Sequence, residues 1–145
     1  MKKLIKLLQE HMYHDVYIQL ESKNYQYTLE SLSKDFNSVD ELNLYCYLIY
    51  VLSKQPKCEM SVLICDYLMF LGTPFYDVYP VIRYHLDTGL LSSPNNILIL
   101  NWIVSIFFEH PDSPYTENEL INFAEIIIGV EAGNERAEEI LDKAT

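Results

Sequence analysis

Chemistry in this chain would begin at Glu10 to Tyr17, EHMYHDVY, where His11, His14 and Asp15 fall within five residues. On a helix, His11 and His14 are three apart and share a face. Such a pair could serve zinc, but zinc needs a third and usually a fourth protein ligand. No glutamate follows His11, so H-E-x-x-H is absent. Asp15 lies four residues after His11 and could pair with it loosely. Leu4, Ile5, Leu8 and Met12 form an apolar stripe that the two histidines flank. The expectation is a pair of exposed histidines on the wet side of an amphipathic helix.

The His14–Asp15 dipeptide resembles that of the all-helical HD-type phosphohydrolases. That family carries a further metal-binding histidine well upstream of the pair, and only His11 precedes it here, so no catalytic role is carried over. His85, beside Arg83 on a helix, reads as structural, and His110 sits where a helix dipole would favour it. Phosphate-cradling G-x-x-x-x-G-K and G-x-G-x-x-G patterns are missing, as is a G-x-S-x-G elbow. Cys46, Cys58 and Cys65 are odd in number, widely spaced and set among apolar residues. They read as reduced core cysteines, without a disulfide framework or zinc knuckle. No catalytic residue, metal or cofactor is nominated, and the chain is expected not to be an enzyme.

The elements that position these residues are helical. Leu4, Ile5, Leu8, Met12, Val16 and Leu20 recur at three- and four-residue steps and predict one helix over 2–22. A shorter helix follows over 25–36. Ser38 and Glu41 have the spacing of a capping box, opening a helix that Pro56 ends near Lys54. A fourth helix over 59–71 closes at Gly72, expected to be a left-handed cap. The fifth starts near Asp77 with Pro80 in its first turn and ends at Gly89. Ser93 and Pro94 open the sixth, running to about Glu109, and Thr116 with Glu119 forms a second capping box before the seventh, to Ile128. Gly129 and Gly133 bracket a break before an acidic helix over 134–143. The fold class is all-α in one domain, 1–145: about eight helices in antiparallel hairpins, as a compact orthogonal bundle or a short HEAT-like array. NILILNWIVSIFF, apolar nearly all round, should be the central helix. Asp66 and Asn101 lie inside apolar helices and need partners or solvent.

The net charge of -11 is uneven. Residues 1–57 balance, residues 58–108 carry -3, and residues 109–145 carry -8. Such acidity repels nucleic acid and anionic lipid and attracts basic partners. Lys6, Gln9 and Glu10 interrupt the apolar start, which therefore lacks the form of a signal peptide. The apolar run Ile97 to Phe108 is shorter than the ~20 residues a bilayer span needs. A cytoplasmic protein without a membrane anchor is expected. Its twelve tyrosines suit an interface, burying area while keeping a polar tip.

In this character (small, acidic, tyrosine-rich, without a catalytic motif) the chain is similar to bacterial toxin-immunity proteins of the contact-dependent inhibition and polymorphic toxin type. The resemblance implies an inhibitory complex with a cognate toxin domain, often a basic nuclease. The residues expected to meet that partner are Tyr76, Tyr79, Tyr84, Glu109, Asp112, Tyr115, Glu117 and Glu119. A helical-repeat adaptor gripping a peptide or subunit is the alternative, and a metal hydrolase built on His11, His14 and Asp15 is the weakest.

Overall fold

A computed structural model describes residues 2–20, 34, 37–72 and 74–145. Among the described residues the regular structure is all helix, with no strand. It falls into two compact units, residues 1–78 and 79–145. The short helix expected over 25–36 lies largely outside the described residues.

The first unit contains α1 (Lys2–Gln9), α2 (Tyr13–Leu20), α3 (Glu41–Lys54) and α4 (Cys58–Asp66), which runs on into a π-helical turn, Tyr67–Leu71. The helices α1, α2 and α3 pack on one another, and α4 packs on α3. Leu8, Val16, Tyr47, Leu48, Met60, Ile64 and Leu68 form the core.

The single helix expected over 2–22 is in fact two. His11 has φ 59°, in the left-handed region. Its N–H donates to the carbonyl of Leu8 at 3.0 Å, and that of Met12 to the carbonyl of Leu7 at 2.8 Å. These paired bonds are those of a left-handed helix cap, with histidine in the place glycine usually takes. The break puts Met12, expected in the apolar stripe, at 45% exposure. Buried Asn43 on α3 holds the break by donating Nδ2 to the Leu8 carbonyl at 2.8 Å. The Leu8 carbonyl, which already accepts from the His11 N–H, thereby gains a second donor at the end of α1.

The start of α3 also departs from expectation. Asp40, not Ser38, is the cap, its carboxylate accepting from the N–H groups of Leu42 and Asn43. Val39 and Leu44, on either side, are both buried and occupy the positions of a hydrophobic staple. Gly72 is extended, φ -143°, rather than left-handed. Its N–H closes the π turn on the Tyr67 carbonyl at 2.9 Å.

The second unit contains α5 (Tyr79–Ser92), α6 (Ile97–Phe107), α7 (Glu117–Val130) and α8 (Glu135–Ala144). Pro80 sits in the first turn of α5, where no intrahelical N–H is lost. Gly89 is buried inside this helix and does not end it. Asn96 caps α6 by accepting from the Ile99 N–H, three residues beyond the expected Ser93. The capping box at Thr116 and Glu119 is present in both directions. Gly129 lies within α7, so the break falls after Val130.

As its all-round apolarity implied, α6 contacts α5, α7 and α8. Its Ile99, Leu100, Ile103, Val104 and Phe107 are wholly buried. Asn101 is a structural polar group: its Oδ1 accepts from Asn134 Nδ2 at 2.9 Å, and Asn134 caps α8. One hydrogen bond thus ties the apolar central helix to the start of the last one.

Candidate functional site

Both histidines are exposed, as expected, but the break at His11 keeps them from sharing one helix. His11 sits on the left-handed cap, with Nδ1 3.1 Å from Asn43 Oδ1 and 3.2 Å from the Tyr13 hydroxyl. The Tyr13 hydroxyl also donates to Asn43 Oδ1. His14 is on α2, its Nδ1 2.8 Å from the Tyr50 hydroxyl. Both imidazoles therefore fasten the α1–α2 corner to α3, and Asp15 is not the partner of His11. Among the described residues no group of three or more His, Cys, Asp or Glu side chains is placed to hold a metal ion. Of the cysteines, Cys65 is buried, Cys58 is half-buried and Cys46 is exposed. Only Cys65 is thus the core cysteine expected of all three, and burial followed by the Asp66 charge pushes its thiol well above the usual range.

The residues expected to meet a partner divide between the units. Tyr76 belongs to the first and is fully exposed. The other seven belong to the second. Tyr84 is exposed on α5, whereas Tyr79 packs its ring on Phe107 and His110. Tyr115 is buried and Glu119 is engaged within the fold. Glu109, Asp112 and Glu117 are exposed.

A residue outside the expected contact set organises this region. Arg83, on α5, donates Nη2 to Glu119 Oε2 at 2.6 Å and Nη1 to Glu119 Oε1 at 3.2 Å. It also donates Nε to Asp87 at 3.1 Å and Nη1 to the Pro114 carbonyl. Its guanidinium carbon lies 4.5 Å from the centre of the Tyr115 ring, and the Tyr115 hydroxyl donates to Asp87 at 2.9 Å. One planar fork thereby binds α5, the start of α7 and the loop before it. Burial alone would lower the Arg83 pKa, but the bonds and charges of Glu119 and Asp87 outweigh it and leave it raised. Burial likewise opposes ionisation of Glu119, yet Arg83 and Thr116 hold its carboxyl below the usual range. A sequence signal existed: Arg83 is the only lysine or arginine between Lys57 and Arg136.

Replacing Arg83 with methionine is expected to cost about 2 kcal/mol, since it leaves two carboxylates and a carbonyl without their charged donor. Urea unfolding of Arg83→Met and Arg83→Lys checks this. Lysine should recover less than half, because a point charge cannot serve three acceptors in one plane. Full recovery by lysine would reduce Arg83 to a simple counter-charge.

Beside this knot, at the end of α6, lies a recess of about 380 Å³. Its walls include Phe107, Phe108, Tyr115 and Leu120, and its polar lining is Glu109, His110, Ser113, Glu117 and Lys143. Glu109 has φ 64°, a left-handed residue just past α6. It accepts from Lys143 Nζ at 2.9 Å, and Lys143 is also 3.2 Å from Glu139. The His110 Nδ1 accepts from the Asp112 N–H, so the ring proton is on Nε2. The recess thus combines the half-buried Phe108 ring with carboxylates, a lining suited to cations.

Three of the expected contact residues, Glu109, Tyr115 and Glu117, line this recess. Among the described residues, ion pairs in the second unit involve Asp87, Glu109, Glu119 and Glu139 of its acids. Asp112, Glu117, Glu125, Glu131, Glu135, Glu138 and Asp142 are exposed and have no ion-pair partner among the described residues. No helix among the described residues is long and apolar enough to cross a membrane. The chain matches no family model, no curated protein and no solved structure.

Proposed function

We propose that this chain is a cytoplasmic binding protein that neutralises a basic, nuclease-type toxin domain, in the manner of an immunity protein. The observation that carries the reading is the set of seven exposed carboxylates in the second unit that have no ion-pair partner among the described residues. Glu119 and Glu139 are paired within the fold, whereas these seven have no basic side chain within ion-pair distance among the described residues. An excess of unpaired like charge repels itself and gains from a partner of opposite sign. Against a nuclease, these carboxylates occupy the space its basic surface offers to phosphates. Long-range attraction speeds encounter, and aromatic contacts prolong the complex.

Capture of partners from the native host by the purified chain, followed by nuclease assays on what is captured, tests the proposal. A basic domain whose nuclease activity is abolished in the complex is expected. Asp112→Lys, Glu117→Lys and Glu125→Lys together should slow association about tenfold or more at low ionic strength, with the difference shrinking as salt is added. These positions leave Arg83 and its partners intact. A captured domain that is acidic, or an association rate indifferent to the three reversals, would sink the proposal.

A further inference from the structure

The recess at the end of α6 already holds one cation, and it belongs to the chain itself. Lys143, in the last turn of α8, places Nζ 5.5 Å from the centre of the Phe108 ring while bonding Glu109 and Glu139. The guanidinium carbon of Arg136 lies 5.0 Å from the centre of the same ring. Glu117 lines the recess with no ion pair. We infer that this recess is the seat of an arginine side chain from a basic protein partner, and that Lys143 is a stand-in which the arginine displaces. The inference rests on the reading of the chain as a binder of a basic domain and names the anchor through which it would bind.

Three observations select arginine. Phe108 is the aromatic wall open to a ligand, since Phe107 and Tyr115 are buried, and a guanidinium stacks on an aromatic face better than an ammonium and is less strongly hydrated. Glu109 and Glu117 are carboxylates able to take the parallel N–H donors of a planar fork. The displaced group is held weakly: the Lys143 and Glu109 side chains are 47% and 59% exposed, and ion pairs so open contribute little. Leaving the recess returns Lys143 to water while an entering guanidinium takes over Glu109, and Glu139 keeps Arg136. The chain thus carries a built-in competitor, which lowers affinity for a lone arginine and favours a partner that adds contacts elsewhere.

The test uses the full chain and two blocked tripeptides, Gly-Arg-Gly and its neutral isostere Gly-citrulline-Gly, followed by amide NMR shifts. The arginine peptide should shift residues 107–117 and the end of α8 saturably, and the citrulline peptide should not. Lys143→Met should tighten arginine binding about fivefold, and Glu109→Gln or Glu117→Gln should weaken it by a similar factor. Lys143→Gln, which keeps a polar tip, guards against an effect of added apolar surface. Equal shifts from citrulline, or unchanged affinity in both Lys143 variants, would overturn the inference. If the tripeptide ignores the recess while a basic partner is still captured in a charge-dependent complex, the arginine seat is wrong and the binding function stands. If the tripeptide binds there but no basic partner is captured, the seat stands and the proposed function falls.

Discussion

Gly72→Ala is expected to destabilise the chain by about 2 to 3 kcal/mol, a large loss for one added methyl group. The cause is steric. Gly72 is extended, a conformation alanine adopts freely, so backbone strain is not at issue. A Cβ there would lie 2.6 Å from both Cζ and the hydroxyl oxygen of Tyr67. That ring cannot swing away cheaply: Tyr67 is 2% exposed and its hydroxyl donates to the Glu41 carbonyl at 2.9 Å. Burial, then the Glu41 and Asp40 carboxylates, push the phenol pKa well above its ordinary value, so the hydroxyl remains a donor. The π turn creates the contact by closing Gly72 onto the Tyr67 carbonyl. Gly129→Ala serves as the opposite case. An added Cβ there meets nothing within 4 Å, and a glycine in the last turn of α7 replaced by alanine should gain about 0.5 kcal/mol. Urea unfolding of both variants gives the comparison. A Gly72→Ala loss below about 0.5 kcal/mol would show that Tyr67 is not held as described.

Stability should also fall by about 2 to 3 kcal/mol as pH drops from 6.5 toward 4, through His85 alone. This histidine is 3% exposed on α5, and burial lowers its pKa from 6.5 to about 4. Above pH 6.5 the imidazole is neutral in both folded and unfolded chains and exerts no pull. Between the two values the unfolded chain takes up a proton that the folded chain refuses, so unfolding is favoured progressively. Below about pH 4 both forms are protonated and the loss is complete. Glu119 and Glu139, whose pKa values are lowered, add their own loss only at the acid end of this window, where carboxylates begin to protonate. The diagnostic interval is therefore pH 5 to 6.5. Urea midpoints of wild type and His85→Leu across it should diverge: a slope in the wild type, near flatness in the variant. The slope is the readout because leucine also changes packing, which shifts both ends equally. Equal slopes would place the His85 imidazole in contact with water.

The two expected losses arise from features of different visibility. A buried histidine could be guessed from its place in VIRYHLDTG, where apolar residues recur around it. The Gly72 contact could not, since it depends on a π turn whose residues, YLMFL, also suit an ordinary helix end. The same contrast runs through the candidate site. The acidity of residues 109–145 is a count, and the capping box at Thr116 and Glu119 is a local pattern realised as read. That Glu119 also receives Arg83, 36 residues away, follows only from the packing of α5 beside the start of α7. Tyr115 looked like a loop tyrosine free to meet a partner. Arg83 and Asp87 draw it into the fold, and the recess wall is the result.

Local sequence determined the helical class and the central position of NILILNWIVSIFF through periodicity, and the acidic character of the last two helices through composition, because each depends on residues within a few turns of one another. Tertiary structure alone decided where helices start when several capping residues compete. It chose Asp40 over Ser38, and it broke the first apolar stripe at His11, where buried Asn43 receives the end of α1. It also decided which acids are tied inward and which remain outward. A local pattern fixes a side chain's direction around its own helix axis, whereas its partner is set by the neighbour that packing brings within hydrogen-bond reach.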